Sequence, residues 1–162
     1  KGKLVSLATS SDRTLFFDFL PIEAMSIKGF KTKFQLYTVP GQVIYNTTRQ
    51  LVLRGVDGIV FVADSQYEKM TENVESLQNL ADNLKALKLH LDDIPYVLQY
   101  NKRDLPNAAP IEYMDFLLNN RAVQVPSFGG AAHKCEGVFE TLNMITRMLL
   151  NKFINRSTPQ YA

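Results

Sequence analysis

Asn101-Lys102-Arg103-Asp104 follows the apolar run Tyr96-Val97-Leu98-Gln99-Tyr100. Ligands of open α/β sheets bind outside the carboxyl ends of the strands. An apolar strand that stops there in an amide, an amine and a carboxylate has the composition of a guanine reader. A carboxylate accepts both the ring N1–H and the exocyclic N2–H of guanine, a charge-assisted pair of hydrogen bonds. Adenine lacks those two adjacent donors, and a site built to hydrogen-bond one substrate rejects an analogue without the groups by large factors. Asp104 would be that acceptor, Lys102 would lay its stem over the base, and Asn101 would tie neighbouring loops together. The same residues also suit a solvated polar turn after a strand, since so short a motif recurs by chance.

Three other stretches carry chemistry of the same kind. In Thr38-Val39-Pro40-Gly41-Gln42, Gly41 offers a backbone N–H with no side chain to block an anion. Gln42 beside it is a residue type that orients an attacking water on a terminal phosphate. A plain Pro-Gly turn fits this stretch as well. Asp12-Arg13-Thr14 pairs a hydroxyl able to ligate Mg²⁺ with a guanidinium able to neutralise charge in phosphoryl transfer; a solvated loop fits it too. Ala131-Ala132-His133 has residues small enough for a base to approach, and a backbone N–H for the guanine oxygen. His90 and His133 have no partner at metal-ligand spacing and read as surface histidines.

The elements that must position these residues follow from periodicity. Lys1 to Thr14 shows none and reads as a loop. Leu15–Leu20 suits a strand, Pro21–Gly29 a turn, and the alternation of Lys31–Val39 the return strand of a hairpin. A polar helix is expected around Tyr45–Leu53. Gly58–Asp64 is almost wholly apolar, as a strand buried on both faces must be. Val74, Leu77, Leu80, Leu84, Leu87 and Leu91 form one helical stripe. Then come the strand from Pro95, a helix over Ile111–Asn119, a strand over Val123–Phe128 and a last helix from Gly137 to Phe153, with Val138, Leu142, Ile145 and Leu149 on its buried face. Alternating strands and helices predict an α/β fold with a mostly parallel sheet flanked by helices, and one antiparallel hairpin.

Composition bounds the function. The chain has 162 residues, 46% hydrophobic and 21% charged, which is one ordinary globular domain. A net charge of +2 gives no argument for nucleic acid or an anionic membrane. No apolar run has the length of a transmembrane segment. Cys135 is the single cysteine, so there is no disulfide framework, and a cytoplasmic location is expected.

Together these stretches resemble the Ras-like small GTPases, and within them the bacterial gliding-motility and polarity (MglA-like) group. The resemblance rests on Asp12–Asp18, Thr38–Gln42, Gly58–Gln66 and Tyr100–Asn107, and spans roughly Lys1 to Phe153. It implies a Ras-like P-loop NTPase fold over residues 1–154 with a flexible tail over 155–162, and a switch that binds GTP or GDP with Mg²⁺ and hydrolyses GTP. By the same resemblance Thr14 closes on Mg²⁺ and the terminal phosphate, and Arg13 is an intrinsic arginine for the transition state. Gly41 senses the terminal phosphate and Gln42 positions water. Asn101, Lys102 and Asp104 read guanine with the N–H of Ala132. The partners implied are a Roadblock-type GTPase-activating protein and polarity or motility effectors.

The sequence departs from the family in three places. Thr38 stands where most members carry an Asp that supports Mg²⁺ through water; Asp18 and Asp64 are the carboxylates available to compensate. His133 replaces the usual Lys. No G-x-x-x-x-G-K-[ST] occurs. In the family that loop, with the first strand and first helix, precedes the stretch matched by Lys1, so the sequence reads as a fragment lacking them, as the absent initiator methionine also suggests. GTP turnover by these residues alone is not expected. A non-catalytic interaction module that lost its phosphate site is the alternative, disfavoured by the retention of Arg13, Gln42 and Asp104.

Overall fold

The structure, a computed structural model, describes residues 5–6, 18–27, 30–39 and 46–157. It divides into two units, Lys1–Arg54 and Gly55–Ala162. In the first unit β1 (Val5–Ser6), β2 (Asp18–Ile27) and β3 (Phe30–Tyr37) form an antiparallel sheet in the order β1-β2-β3. The β2–β3 hairpin expected from the alternation is present, with Phe19 opposite Tyr37 and Ile22 opposite Phe34. Two expectations are corrected. Val5–Ser6 is a strand rather than loop, paired with Asp18 and Phe19; two residues are too few to show a period. Pro21 does not start a turn, because β2 stays extended to Ile27. Proline is tolerated at strand edges, and past Phe19 β2 has only β3 as a partner among the described residues. The polar helix is α1 (Asn46–Leu53).

The second unit holds a parallel sheet of β4 (Ile59–Asp64), β5 (Tyr96–Asn101) and β6 (Ser127–Gly129), in that order. Parallel neighbours need crossover connections, here α2 (Met70–Ala86) between β4 and β5 and α3 (Ile111–Leu118) between β5 and β6. The last helix, α4 (Val138–Ser157), packs across all three strands, while α2 packs on β4 and α3. It runs past Phe153 and into the expected tail.

β5 is the centre of the core. Tyr96, Val97, Leu98 and Tyr100 are at most 1% exposed, and burying such side chains contributes about 1.5–3 kcal/mol each. Gln99, the polar exception, lies 6% exposed and donates to the Gly137 carbonyl at 3.4 Å. The Tyr100 hydroxyl donates to Asp115 at 2.6 Å. β4 is not buried on both faces as its composition suggested: Val62 is 53% exposed, because β4 is an edge of the described sheet and α2 and α4 cover only part of it.

Two boundaries moved for local reasons. The stripe through Leu87 and Leu91 is not one helix. α2 ends in a Schellman arrangement, with Lys88 left-handed at φ 60° and Leu89 N–H donating to the Leu84 carbonyl at 2.9 Å. Leu91 is still buried, from a separate short turn over Leu91–Asp93. β6 starts at Ser127 rather than Val123 because Asn119 takes the place of a ladder partner: its amide bonds the Val125 carbonyl and N–H, both at 2.9 Å. Val123 is left 80% exposed.

Candidate functional site

All three strands of the second unit point their carboxyl ends to one edge, and the ladder register decides what meets there. Asp64 pairs with Asn101, and Tyr100 with Gly129. The end of β4 is fixed first. Asn73 of α2, 7% exposed, accepts from the Asp64 N–H at 3.1 Å and donates to the Asp64 carbonyl at 2.8 Å. One amide thus satisfies both backbone groups of the last strand residue. Asn73→Ala should cost about 1–3 kcal/mol in chemical denaturation, the penalty for leaving such groups unpaired.

The chain leaving β5 turns sharply at Lys102, whose φ is 65°. Arg103 N–H donates to the Gly130 carbonyl at 3.0 Å, and Gly130 N–H to the Tyr100 carbonyl at 2.9 Å, so this loop and the one after β6 are knitted together. Asn101 completes the tie by accepting from the Ala132 N–H at 2.9 Å. Asp104 lies between them with its side chain 17% exposed, its carboxylate 3.5 Å from His133 Nε2 and 3.7 Å from Lys134 Nζ. His133 is exposed, as expected of a surface histidine, but it faces this carboxylate.

Lys102 donates to Asp64 at 2.6 Å. Asp64 also accepts from the Gln66 N–H at 3.1 Å and the Gln66 amide at 3.1 and 3.2 Å. Burial pushes the Asp64 carboxyl up, but Lys102 and the Gln66 donors outweigh it and hold it below the usual carboxylate range. A folded-state value below the unfolded one stabilises fully above the unfolded value, about 3.9, and the effect is lost as pH falls through the folded value. Asp64→Asn should therefore cost stability at neutral pH and progressively less below about pH 4. Urea titrations of both proteins across that range check it; a cost independent of pH rejects the ion pair.

The structure thus brings together Asn101, Lys102, Asp104 and Ala132. Arg13, Thr14, Gly41 and Gln42 lie outside the described residues; Thr38 is exposed, just past β3. Asp64, offered by sequence as metal support, has its carboxylate engaged by Lys102 and Gln66 instead. Among the described residues no group of three or more His, Cys, Asp or Glu could hold a metal ion. Sequence reasoning missed Asn73, Gln66 and Lys134; the one available signal was the polar Asp64-Ser65-Gln66 ending an apolar strand, the same pattern that marked Asn101–Asp104.

Comparison with known proteins agrees with this arrangement. The Ras family matches residues 6–151. The mutual gliding-motility protein MglA of Myxococcus xanthus (strain DK1622) is 55% identical over 152 residues, covering 94% of this chain and 77% of that protein. The family match runs through the two units and through every strand end described above, and the chain therefore belongs to the Ras family, among its MglA-like GTPases.

Proposed function

We propose that the chain carries the guanine-reading half of a switch that binds GTP and GDP with Mg²⁺ and hydrolyses GTP. The observation that carries this is Asp104. It is a mostly covered carboxylate, set in a loop that Asn101 and Arg103 lock to the loop of Ala132. A fixed pair of acceptor oxygens at the carboxyl edge of a parallel sheet complements the N1–H and N2–H of guanine. The Ala132 N–H, held by Asn101 at 2.9 Å, would be shared with the guanine oxygen.

In this reading Gln42 orients the attacking water and Arg13 neutralises charge developing on the transferred phosphoryl group. The Gly41 N–H meets the terminal phosphate, and Thr14 would hold Mg²⁺, which supplies charge neutralisation between the phosphates. The regulator is a Roadblock-type GTPase-activating protein, the outputs are polarity or motility effectors, and the location is the cytoplasm. Residues 1–154 form the GTPase domain. Support comes from the 55% identity to a gliding-motility protein.

Calorimetric titration with GDP and GTP in the presence of Mg²⁺, with ATP as control, tests the reading. Guanine-selective binding is expected; equal binding of ATP, or none of any nucleotide, rejects it. Hydrolysis is tested in the intact protein, where Gln42→Ala should abolish GTP turnover.

A further inference from the structure

Lys102 is held at both ends. Its backbone is left-handed, with φ 65°, which sets the direction in which the side chain leaves the loop. Its ammonium is 2.6 Å from Asp64 Oδ2 across the β4–β5 ladder. A lysine stem is ordinarily flexible; one anchored at both ends is a strut.

Asp64 is itself over-determined. Asn73 clamps its backbone, and Gln66 donates to its carboxylate from both N–H and side chain. The Gln66 side-chain oxygen Oε1 accepts from Asn107 at 3.4 Å, and Asn107 donates to Glu68 at 2.8 and 2.9 Å. Tyr67 N–H also bonds the Asn107 carbonyl at 3.2 Å. The loop after β4 and the loop after β5 are therefore joined at several places, and Asp64–Lys102 is the side-chain join that reaches into the Asn101–Asp104 run.

We propose that Asp64 is the positioning residue of the purine site: by anchoring the Lys102 ammonium it lays the lysine stem as a fixed apolar shelf beside the Asp104 carboxylate. The inference rests on the guanine-binding reading given above. It assigns Asp64 to the base rather than to a metal, in keeping with carboxylate oxygens already engaged by Lys102 and Gln66. A shelf fixed before the base arrives leaves less side-chain freedom to be lost on binding.

The test is a double-mutant cycle on the full chain, with Asp64→Asn, Lys102→Met and the pair, titrated with GDP and Mg²⁺ by calorimetry and with ATP as control. Methionine keeps an apolar stem and removes the ammonium. Asp64→Asn should weaken GDP about tenfold with Lys102 present, the scale of a partly exposed charge-assisted contact. In the Lys102→Met background it should weaken GDP less than about twofold, because contacts sharing one network are not additive. Equal losses in both backgrounds would mean that Asp64 acts through the fold and would overturn the proposal while leaving guanine binding intact. Failure of the unsubstituted chain to bind GDP would remove the guanine reading and the proposal with it.

A second measurement needs no nucleotide. In competitive acylation read by mass spectrometry, Lys102 should react several-fold more slowly than the exposed Lys88, and Asp64→Asn should abolish the difference. Equal reactivity of Lys102 and Lys88 in the unsubstituted chain overturns the anchor.

Discussion

Asp104→Ala should lower the affinity for GDP by about a hundredfold or more, the scale set by losing two charge-assisted hydrogen bonds to one base edge. Little of the loss should appear with ATP, whose base never supplied the two donors. Asp104→Asn is the sharper variant because it keeps the shape. An amide presents one acceptor and one donor in place of two acceptors, so it opposes one of the two guanine donors with another donor. A purine with a carbonyl at C2 in place of the amino group meets that amide without conflict. Titrating Asp104→Asn with GDP and with xanthosine diphosphate should therefore show a reversal of preference. The neighbours also matter: His133 and Lys134 face this carboxylate at 3.5 and 3.7 Å, and removing it takes the partner from the Lys134 ammonium. Losses equal for GDP and ATP would show that Asp104 supports the loop and does not read the base.

Gly137→Ala should be the most damaging single change to the loop that carries Ala132. Gly137 is left-handed at φ 72°, and a Cβ there would lie 2.3 Å from the Gly129 carbonyl oxygen and 2.8 Å from the Gly130 Cα. Left-handed backbone costs a non-glycine residue about 1–2 kcal/mol, and overpacking adds about 1–3 kcal/mol. The clash is with backbone, which cannot swing aside as a side chain would. The same carbonyl-and-glycine crossing positions Gly130, whose contacts to Tyr100 and Arg103 hold the Asn101–Asp104 loop. Chemical denaturation should show a loss of about 2–5 kcal/mol, together with weakened GDP binding. Gly55→Ala is the control: Gly55 has the same φ of 72° but nothing within 4 Å of its would-be Cβ, so only the strain of about 1–2 kcal/mol applies. Equal losses at the two positions would mean that the crossing of Gly137 over Gly129 does not limit the loop.

Much of the fold was legible because its signals are local. β5 announces itself as an apolar run ending in Asn101-Lys102-Arg103-Asp104, since a central parallel strand is buried on both faces and the polar residues can begin only where it leaves the sheet. The stripe of Leu77, Leu80 and Leu84 marked α2 because one face of a helix must meet the sheet. The β2–β3 hairpin followed from alternation. Asn101, Lys102 and Asp104 were singled out by side-chain chemistry matched to a base edge and Ala132 by its backbone N–H, and the structure gathers them at one strand edge.

The errors came where a turn conformation or a side-chain contact replaced what periodicity predicted. Asn119 ties Val125 and keeps Val123 out of β6. Lys88 takes a left-handed conformation that sequence assigns to glycine, and α2 stops before Leu87. Pro21 stays in a strand whose neighbour β1 has already ended. Asp64 shows what a single strand leaves open. By sequence it was one of two spare carboxylates for a metal, because nothing within its own strand says which charge it will face. The parallel register sets it opposite Asn101, and so beside Lys102, 38 residues away. Residue type determined the chemistry available at each strand end; only the pairing of strands distant in sequence decided which charges would meet, because register is a property of the ladder and not of either strand.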